Sequence, residues 1–149
     1  MSTKRDLELF IVDIFICIQK IKTYTENFTC GDDLLHSEIN WDATLRNLEI
    51  IGEALNNLLQ DEKFVSLSPM YFRKVVNFRN LVSHGYFGIS QEEVWNVVTE
   101  KLNLLEEDMK QIIDKNFDLS TAIEQELPKQ ANSEIVQYLK NLKKENSAR

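Results

Sequence analysis

The sequence predicts an all-α protein, a four-helix up-down bundle followed by a C-terminal helical extension. The 149 residues include only two Pro and four Gly, too few for the many turns of an all-β fold. Apolar residues recur three and four positions apart over long stretches, which is the period of an amphipathic helix. A chain of this length can bury a core without disulfides or metals. We therefore expect a helical bundle over residues 1–116 and the extension over residues 117–149.

Helical periodicity places the first helix at residues 4–26 and the second at residues 37–60. The segment between them, residues 29–33, contains Cys, Gly and two Asp and is predicted to be a loop. Gly52 lies inside the second helix, where glycine lowers helix stability. We expect that Gly52 marks a close contact with a neighbouring helix.

The third helix is predicted to begin at Ser68 and Pro69, because a capping hydroxyl followed by Pro is favoured at a helix start. It continues to about Gly85. The segment Ser-Gln-Glu-Glu at residues 90–93 forms a capping box for the fourth helix, which runs to about residue 116. A short last helix is predicted at residues 133–144.

The formal net charge is −7, which argues against a protein that coats nucleic acid through general positive charge. Only one window of the chain, residues 61–89, carries a net positive charge, of +2. This charge distribution allows a local basic site on an acidic protein.

Cysteine and histidine usage points away from disulfides and metals. Cys17 lies in an apolar run and Cys30 stands alone, so the two cysteines form no disulfide framework. With no Cys-x-x-Cys pair and only His36 and His84, a zinc site is not expected. The apolar run at residues 9–18 is too short to span a bilayer, and a cytoplasmic protein is expected.

The third helix carries the candidate chemistry. On a helical wheel, Arg79 lies at the centre of an apolar seam. A buried guanidinium without a partner is costly, so Arg79 must meet an anion, a polar cluster or another subunit. A structural salt bridge to an acidic neighbour is the plainer alternative. The apolar members of the seam are Phe72, Val75, Val82 and Tyr86.

A second row on the same helix is entirely polar and lies about 130° from Arg79. This row could equally be a solvated helix face that ends in an ordinary histidine. Its members are Arg73, Asn77, Asn80 and His84.

Arginine and histidine together suit the cleavage of RNA by its own 2′-hydroxyl. That reaction needs a base, an acid and cationic stabilisation of the phosphorane, and it needs no metal. The guanidinium fork of Arg79 matches phosphate, and His84 can take and give a proton near neutral pH. One His on this helix of each chain is too few for a separate acid and base. A symmetric dimer that pairs two third helices would supply both.

The residues of this helix resemble a known family. Residues 79–86, Arg-Asn-Leu-Val-Ser-His-Gly-Tyr, match the Arg-x4-His-x-Tyr motif of HepT-like toxins in the HEPN superfamily. Residues 41–54 resemble the second-helix signature of that family, and Phe-Gly-Ile at 87–89 and Val-Trp at 94–95 are similar to the residues on the C-terminal side of its motif. The resemblance covers roughly residues 4–116.

The resemblance implies an all-helical homodimer that acts as a metal-independent endoribonuclease toxin with no cofactor. It implies that Arg79 and His84 are catalytic and that Asn80 fills the polar position after the arginine, where it would bind the RNA substrate. Arg73, which lies in the positively charged window, is a second candidate for binding RNA. The implied partner is a nucleotidyltransferase antitoxin that transfers AMP from ATP to Tyr86. Phosphates on Tyr86 would pair with Arg79 and obstruct RNA.

Two other hypotheses remain open. In the first, the chain is a non-catalytic module that binds a nucleotide or a partner protein and associates with a nucleotidyltransferase. In the second, the chain is a structural helical dimer in which Arg79 and Tyr86 only form the interface. Glu53 and Arg46 on the second helix could brace the site, although a salt bridge elsewhere would explain them equally well.

Overall fold

The computed structural model describes residues 3–84 and 89–147, apart from the side chains of Leu81, Ser83 and His84. All regular elements in these ranges are helical, which confirms the predicted all-α class. The number of helices in the bundle and the homodimer remain predictions. The helices are α1 (Lys4–Thr25), α2 (Gly31–Leu35), α3 (Glu38–Leu58), α4 (Glu62–Leu67), α5 (Phe72–His84), α6 (Gln91–Asn96), α7 (Leu102–Ile113), α8 (Ser120–Glu126) and α9 (Ser133–Ser147).

Helix α3 is central, because it packs on α1 along one side and on α5 along the other. Helix α1 begins with a capping box in which Thr3 and Asp6 each accept a backbone hydrogen bond from the other, both at 3.1 Å. Its apolar residues then form the largest part of the buried core, with Ile11, Ile14 and Phe15 fully buried. Helix α5 contacts the rest of the bundle through α3.

Three short helices were not expected from the periodicity. Residues 29–33 are not simply a loop, since α2 begins at Gly31, and α4 and α8 were also missed. The prediction that Ser68 caps the third helix was wrong. The Ser68 hydroxyl donates to the carbonyl oxygen of Phe64 at 2.6 Å, so Ser68 closes the end of α4, and α5 begins only at Phe72.

The predicted fourth helix is interrupted by a π-helical segment, Val97–Lys101, between α6 and α7. The Ser90 hydroxyl accepts a hydrogen bond from the Glu93 backbone at 3.1 Å, as the capping pattern predicted. π-Helical turns inside α-helices are frequent at functional sites. This segment faces α5 across an apolar cavity.

The C-terminal extension packs on the bundle. Helices α8 and α9 contact α1, and apolar residues of α9, among them Leu139, join the buried cluster to which α1 belongs. The Tyr138 hydroxyl donates to Glu106 on α7, which also accepts from Gln19 at 2.8 Å and from Lys22 at 2.9 Å. These contacts tie α9 to α1 and α7. The domain boundary at residue 116 stays a prediction.

The carboxyl of Asp13 on α1 is a pH-sensitive point of this fold. Burial first, and then the charge of Glu126, raise the pKa of Asp13 to about 6. Because the folded pKa lies above the unfolded one, the stability from Asp13 is complete at low pH and is lost as pH rises through about 6. We expect Asp13→Asn to raise Tm more at about pH 7.5 than at about pH 4.5.

Thermal denaturation at both pH values checks this expectation. Asp42→Asn is the control, because Asp42 is exposed and has no hydrogen-bond or ion-pair partner in the described ranges. An equal gain in Tm at both pH values for Asp13→Asn would contradict the role of its ionisation.

No helix in the described ranges is long and apolar enough to cross a lipid bilayer.

Candidate active site on helix α5

Gly52 allows α5 to approach the backbone of α3 at Arg79. A Cβ atom placed on Gly52 would lie 2.2 Å from the Cβ and 2.7 Å from the Cγ of Arg79. Carbon atoms that are not bonded do not come so close, so no residue with a side chain fits at position 52 without a shift of the helices. The close contact predicted at Gly52 is confirmed, and its partner is the stem of Arg79.

The Arg79 guanidinium has no protein partner in the described ranges. Its Nε atom is buried without a hydrogen bond, and Arg79 makes no ion pair there. Of the described seam residues, Phe72 and Val82 are buried and Val75 is half-buried. The predicted alternative of a salt bridge to an acidic neighbour is therefore not found in this part of the chain. A guanidinium that is held at its stem and unpaired at its head is suited to an anion.

The polar row of α5 is exposed where it is described. Arg73, Asn77 and Asn80 all face solvent, and none of their side chains hydrogen-bonds to another described residue. The structure thus places Arg73 and Asn80 on the open face of α5 and Arg79 at its contact with α3. His84 is the last residue of α5, and its side chain is outside the described part of the structure. Tyr86 lies outside the described residues.

Arg46 and Glu53 on α3 are not seen to brace this site. Arg46 pairs with Glu49 of the same helix at 3.3 Å; the Arg46 side chain is exposed and that of Glu49 is half-buried. Glu53 is exposed. The salt-bridge explanation therefore accounts for Arg46.

Metal-binding clusters are absent from the described residues, where no group of three His, Cys, Asp or Glu side chains could hold an ion. The imidazole Nδ1 of His36 lies 2.7 Å from the Asp32 carbonyl oxygen, so His36 is engaged in its own helical turn. The cationic side chains of α5 are the described groups near this site that can contact an anionic substrate.

In the described ranges this is a helical protein whose α5 carries an unpaired guanidinium at its contact with α3 and an exposed Arg73 and Asn80 on its open face, an arrangement suited to an anion. A family model described as "Ribonuclease HepT-like" matches residues 14–112. The chain belongs to the HepT-like ribonuclease family. The prediction of an endoribonuclease is confirmed by this membership.

Relatives with ribonuclease names match most of the chain. A protein of Methanocaldococcus jannaschii that bears a provisional RNase name is 33% identical over 110 residues, covering 73% of this chain and 86% of that protein. A second such protein from the same organism is 29% identical over 110 residues, covering 72% and 97%. A protein of Thermococcus cleftensis named "Probable ribonuclease HepT" is 33% identical over 100 residues, covering 66% and 88%. No solved structure matches the chain.

Proposed function

We propose that this protein is a metal-independent endoribonuclease toxin whose active site lies at the cleft of a homodimer. One observation carries this proposal, the Arg79 guanidinium that is clamped at its stem by Gly52 and lacks a carboxylate partner in the described ranges. The family supplies the substrate class, RNA.

Each proposed group has a role in the reaction. A base removes the proton from the 2′-hydroxyl, the oxygen attacks the adjacent phosphorus, and the 5′-oxygen leaves with a proton from an acid. The products are a 2′,3′-cyclic phosphate and a free 5′-hydroxyl. His84 is the proposed acid/base, and Arg79 stabilises the negative charge of the phosphorane. Asn80 and Arg73 lie on the open face of α5 and bind neighbouring parts of the RNA.

The homodimer completes the set of proton-transfer groups. Each protomer contributes one motif His, and the reaction uses a base and an acid. Pairing two α5 helices about a twofold axis brings two His84 and two Arg79 side chains to one cleft. It also doubles the local positive charge on a chain whose formal net charge is −7.

Incubation of the purified protein with RNA and EDTA tests this function. We expect cleavage that leaves cyclic phosphate ends, and we expect that His84→Ala reduces the rate by at least about 100-fold, the typical contribution of a positioned acid or base. Lys140→Ala on α9 is the control, since Lys140 is exposed and unpaired in the described ranges. Cleavage by His84→Ala at the wild-type rate would overturn the proposed role. RNA that survives the wild-type protein would favour the non-catalytic binding module.

A nucleotidyltransferase antitoxin is the proposed partner, and Tyr86 is its proposed target. The Tyr86 hydroxyl would attack the α-phosphate of ATP, and pyrophosphate would leave, so that AMP is joined to the phenol oxygen. The resemblance of residues 79–86 to the family motif supports this proposal. The added phosphate would pair with Arg79 and exclude RNA phosphates from the guanidinium.

Intact mass after co-expression with a candidate nucleotidyltransferase antitoxin tests this modification. We expect a gain of one or more adenylate units and a loss of ribonuclease activity in the modified protein. Tyr86→Phe should show no gain in mass, because it lacks the acceptor oxygen. A gain of the same size in Tyr86→Phe would place the modification elsewhere.

A further inference from the structure

An apolar cavity of about 350 Å³ lies between α3, α5 and the π-helical segment with α7. Four of the side chains that line the cavity are buried, and one leucine at its rim, Leu104, is 44% exposed. Small-molecule sites occupy about 300 to 1,000 Å³ and are lined mostly by apolar side chains. The cavity falls within that range. The four buried side chains of its lining are Leu48, Ile51, Leu102 and Leu105.

The cavity carries positive charge at its edge. The lysines at positions 74 and 101 line it, both are exposed, and neither has an ion pair or side-chain hydrogen bond among the described residues. Lys101 and Val97 are the last and first residues of the π-helical segment, and both line the cavity. The π-helical turn therefore contributes both an apolar wall and a cation to this space.

Tyr71 is the other polar side chain of the lining, and its hydroxyl already has a hydrogen-bond partner. The hydroxyl donates to the carboxylate of Asp108 at 2.5 Å, so that carboxylate is also hydrogen-bonded. Burial and this hydrogen bond raise the pKa of Tyr71, so the phenol stays neutral. The ammonium groups of Lys74 and Lys101 are thus the free polar groups of the described lining.

We propose that this cavity binds an amphipathic anion, with the apolar body of the ligand among the buried leucines and its anionic head between Lys74 and Lys101. Two unpaired cations at the edge of an apolar space complement a carboxylate or sulfate attached to a hydrocarbon chain. The rest of the protein is acidic, so the attraction must come from these two lysines.

A second copy of the chain fits this surface less well. A twofold interface centred on the cavity would place the same patch of both protomers face to face. Such an interface would bury Lys74 and Lys101 of each protomer, which have no ion pair among the described residues, and a buried charge without a partner is costly. A small anion brings the opposite charge and fits the volume.

This site is separate from the proposed ribonuclease site and does not depend on that function. Lys74, Val75 and Phe78 lie on one flank of α5, whereas Arg73 and Asn80 lie on the opposite side of Arg79. A ligand in the cavity therefore leaves the exposed polar row open.

Titration calorimetry of the full chain with decanoate, below its micelle concentration, tests the proposal. We expect saturable binding of one decanoate per chain, about tenfold weaker binding of 1-decanol, and no binding of decylammonium. The double variant Lys74→Gln/Lys101→Gln should weaken decanoate binding by about tenfold or more, whereas Lys140→Gln should leave it unchanged. Circular dichroism confirms that each variant is folded.

A second variant tests the apolar part. Leu104→Trp changes a rim residue that is already partly exposed, so the fold should tolerate it while the indole fills the mouth of the cavity and abolishes decanoate binding. Binding that is absent, or that ignores both the lysine and Leu104 variants, overturns the proposal. A third outcome also overturns the proposal. If light scattering shows that the wild-type dimer dissociates in Leu104→Trp, and the wild-type dimer does not bind decanoate, then the occupant of the cavity is a second copy of the chain.

Discussion

Gly52→Ala is expected to reduce RNA cleavage by about 100-fold and to lower Tm. The added methyl group would lie 2.2 Å from the Cβ of Arg79, an atom next to the backbone that cannot rotate away. Helix α5 must therefore move away from α3 and carry Arg79 with it. Misplacement of a catalytic group by about 1 Å can cost about 100-fold in rate. Overpacking costs about 1–3 kcal/mol, and the better helix propensity of Ala offsets about 1 kcal/mol of it.

Cleavage rate per folded molecule and thermal denaturation check this expectation together. Gly31→Ala is the matched control, because a Cβ there would lie 2.4 Å from the Gln91 carbonyl oxygen, away from the contact of α3 with α5. It should lower Tm while it preserves the rate far better than Gly52→Ala. Wild-type rate and Tm in Gly52→Ala would show that the contact with Arg79 is unimportant.

Arg79→Met is expected to have the opposite effect on stability and a similar effect on activity. Methionine keeps an unbranched stem against Gly52 but removes a buried Nε that has no hydrogen bond in the described ranges. A buried polar group without a partner costs about 1–3 kcal/mol, so Tm should be unchanged or higher. Cleavage should fall by about 100-fold or more, because the charge that stabilises the phosphorane is lost.

The two readouts separate a functional arginine from a structural one. If Arg79 were needed for the fold, Arg79→Met would lower Tm and lose activity only through unfolding. Arg73→Met is the control, since Arg73 is exposed and is proposed to contact RNA only through a peripheral phosphate. Its rate should fall less, and the effect should diminish as salt is added. A loss of Tm in Arg79→Met would contradict the proposed role.

The long helices could be predicted because their signals are local. Helices α1, α3 and α9 repeat an apolar stripe over several turns, and Ser90 caps its helix as the capping pattern predicts. Helices α2, α4 and α8 have only five to seven residues, too few for a periodic stripe. Such short helices depend on tertiary packing, which a local pattern does not contain.

At the candidate site, too, some features follow from the local sequence and others only from tertiary packing. The sequence by itself determined that Arg79 lies in an apolar seam, that Arg73 and Asn80 share a polar row, and that Gly52 needs a close neighbour. Only the tertiary structure decided that this neighbour is Arg79, that no carboxylate in the described ranges meets its guanidinium, and that Lys74 and Lys101 flank an apolar cavity. Helical period follows from adjacent residues, whereas these contacts join residues far apart in the chain and exist only once the helices have packed.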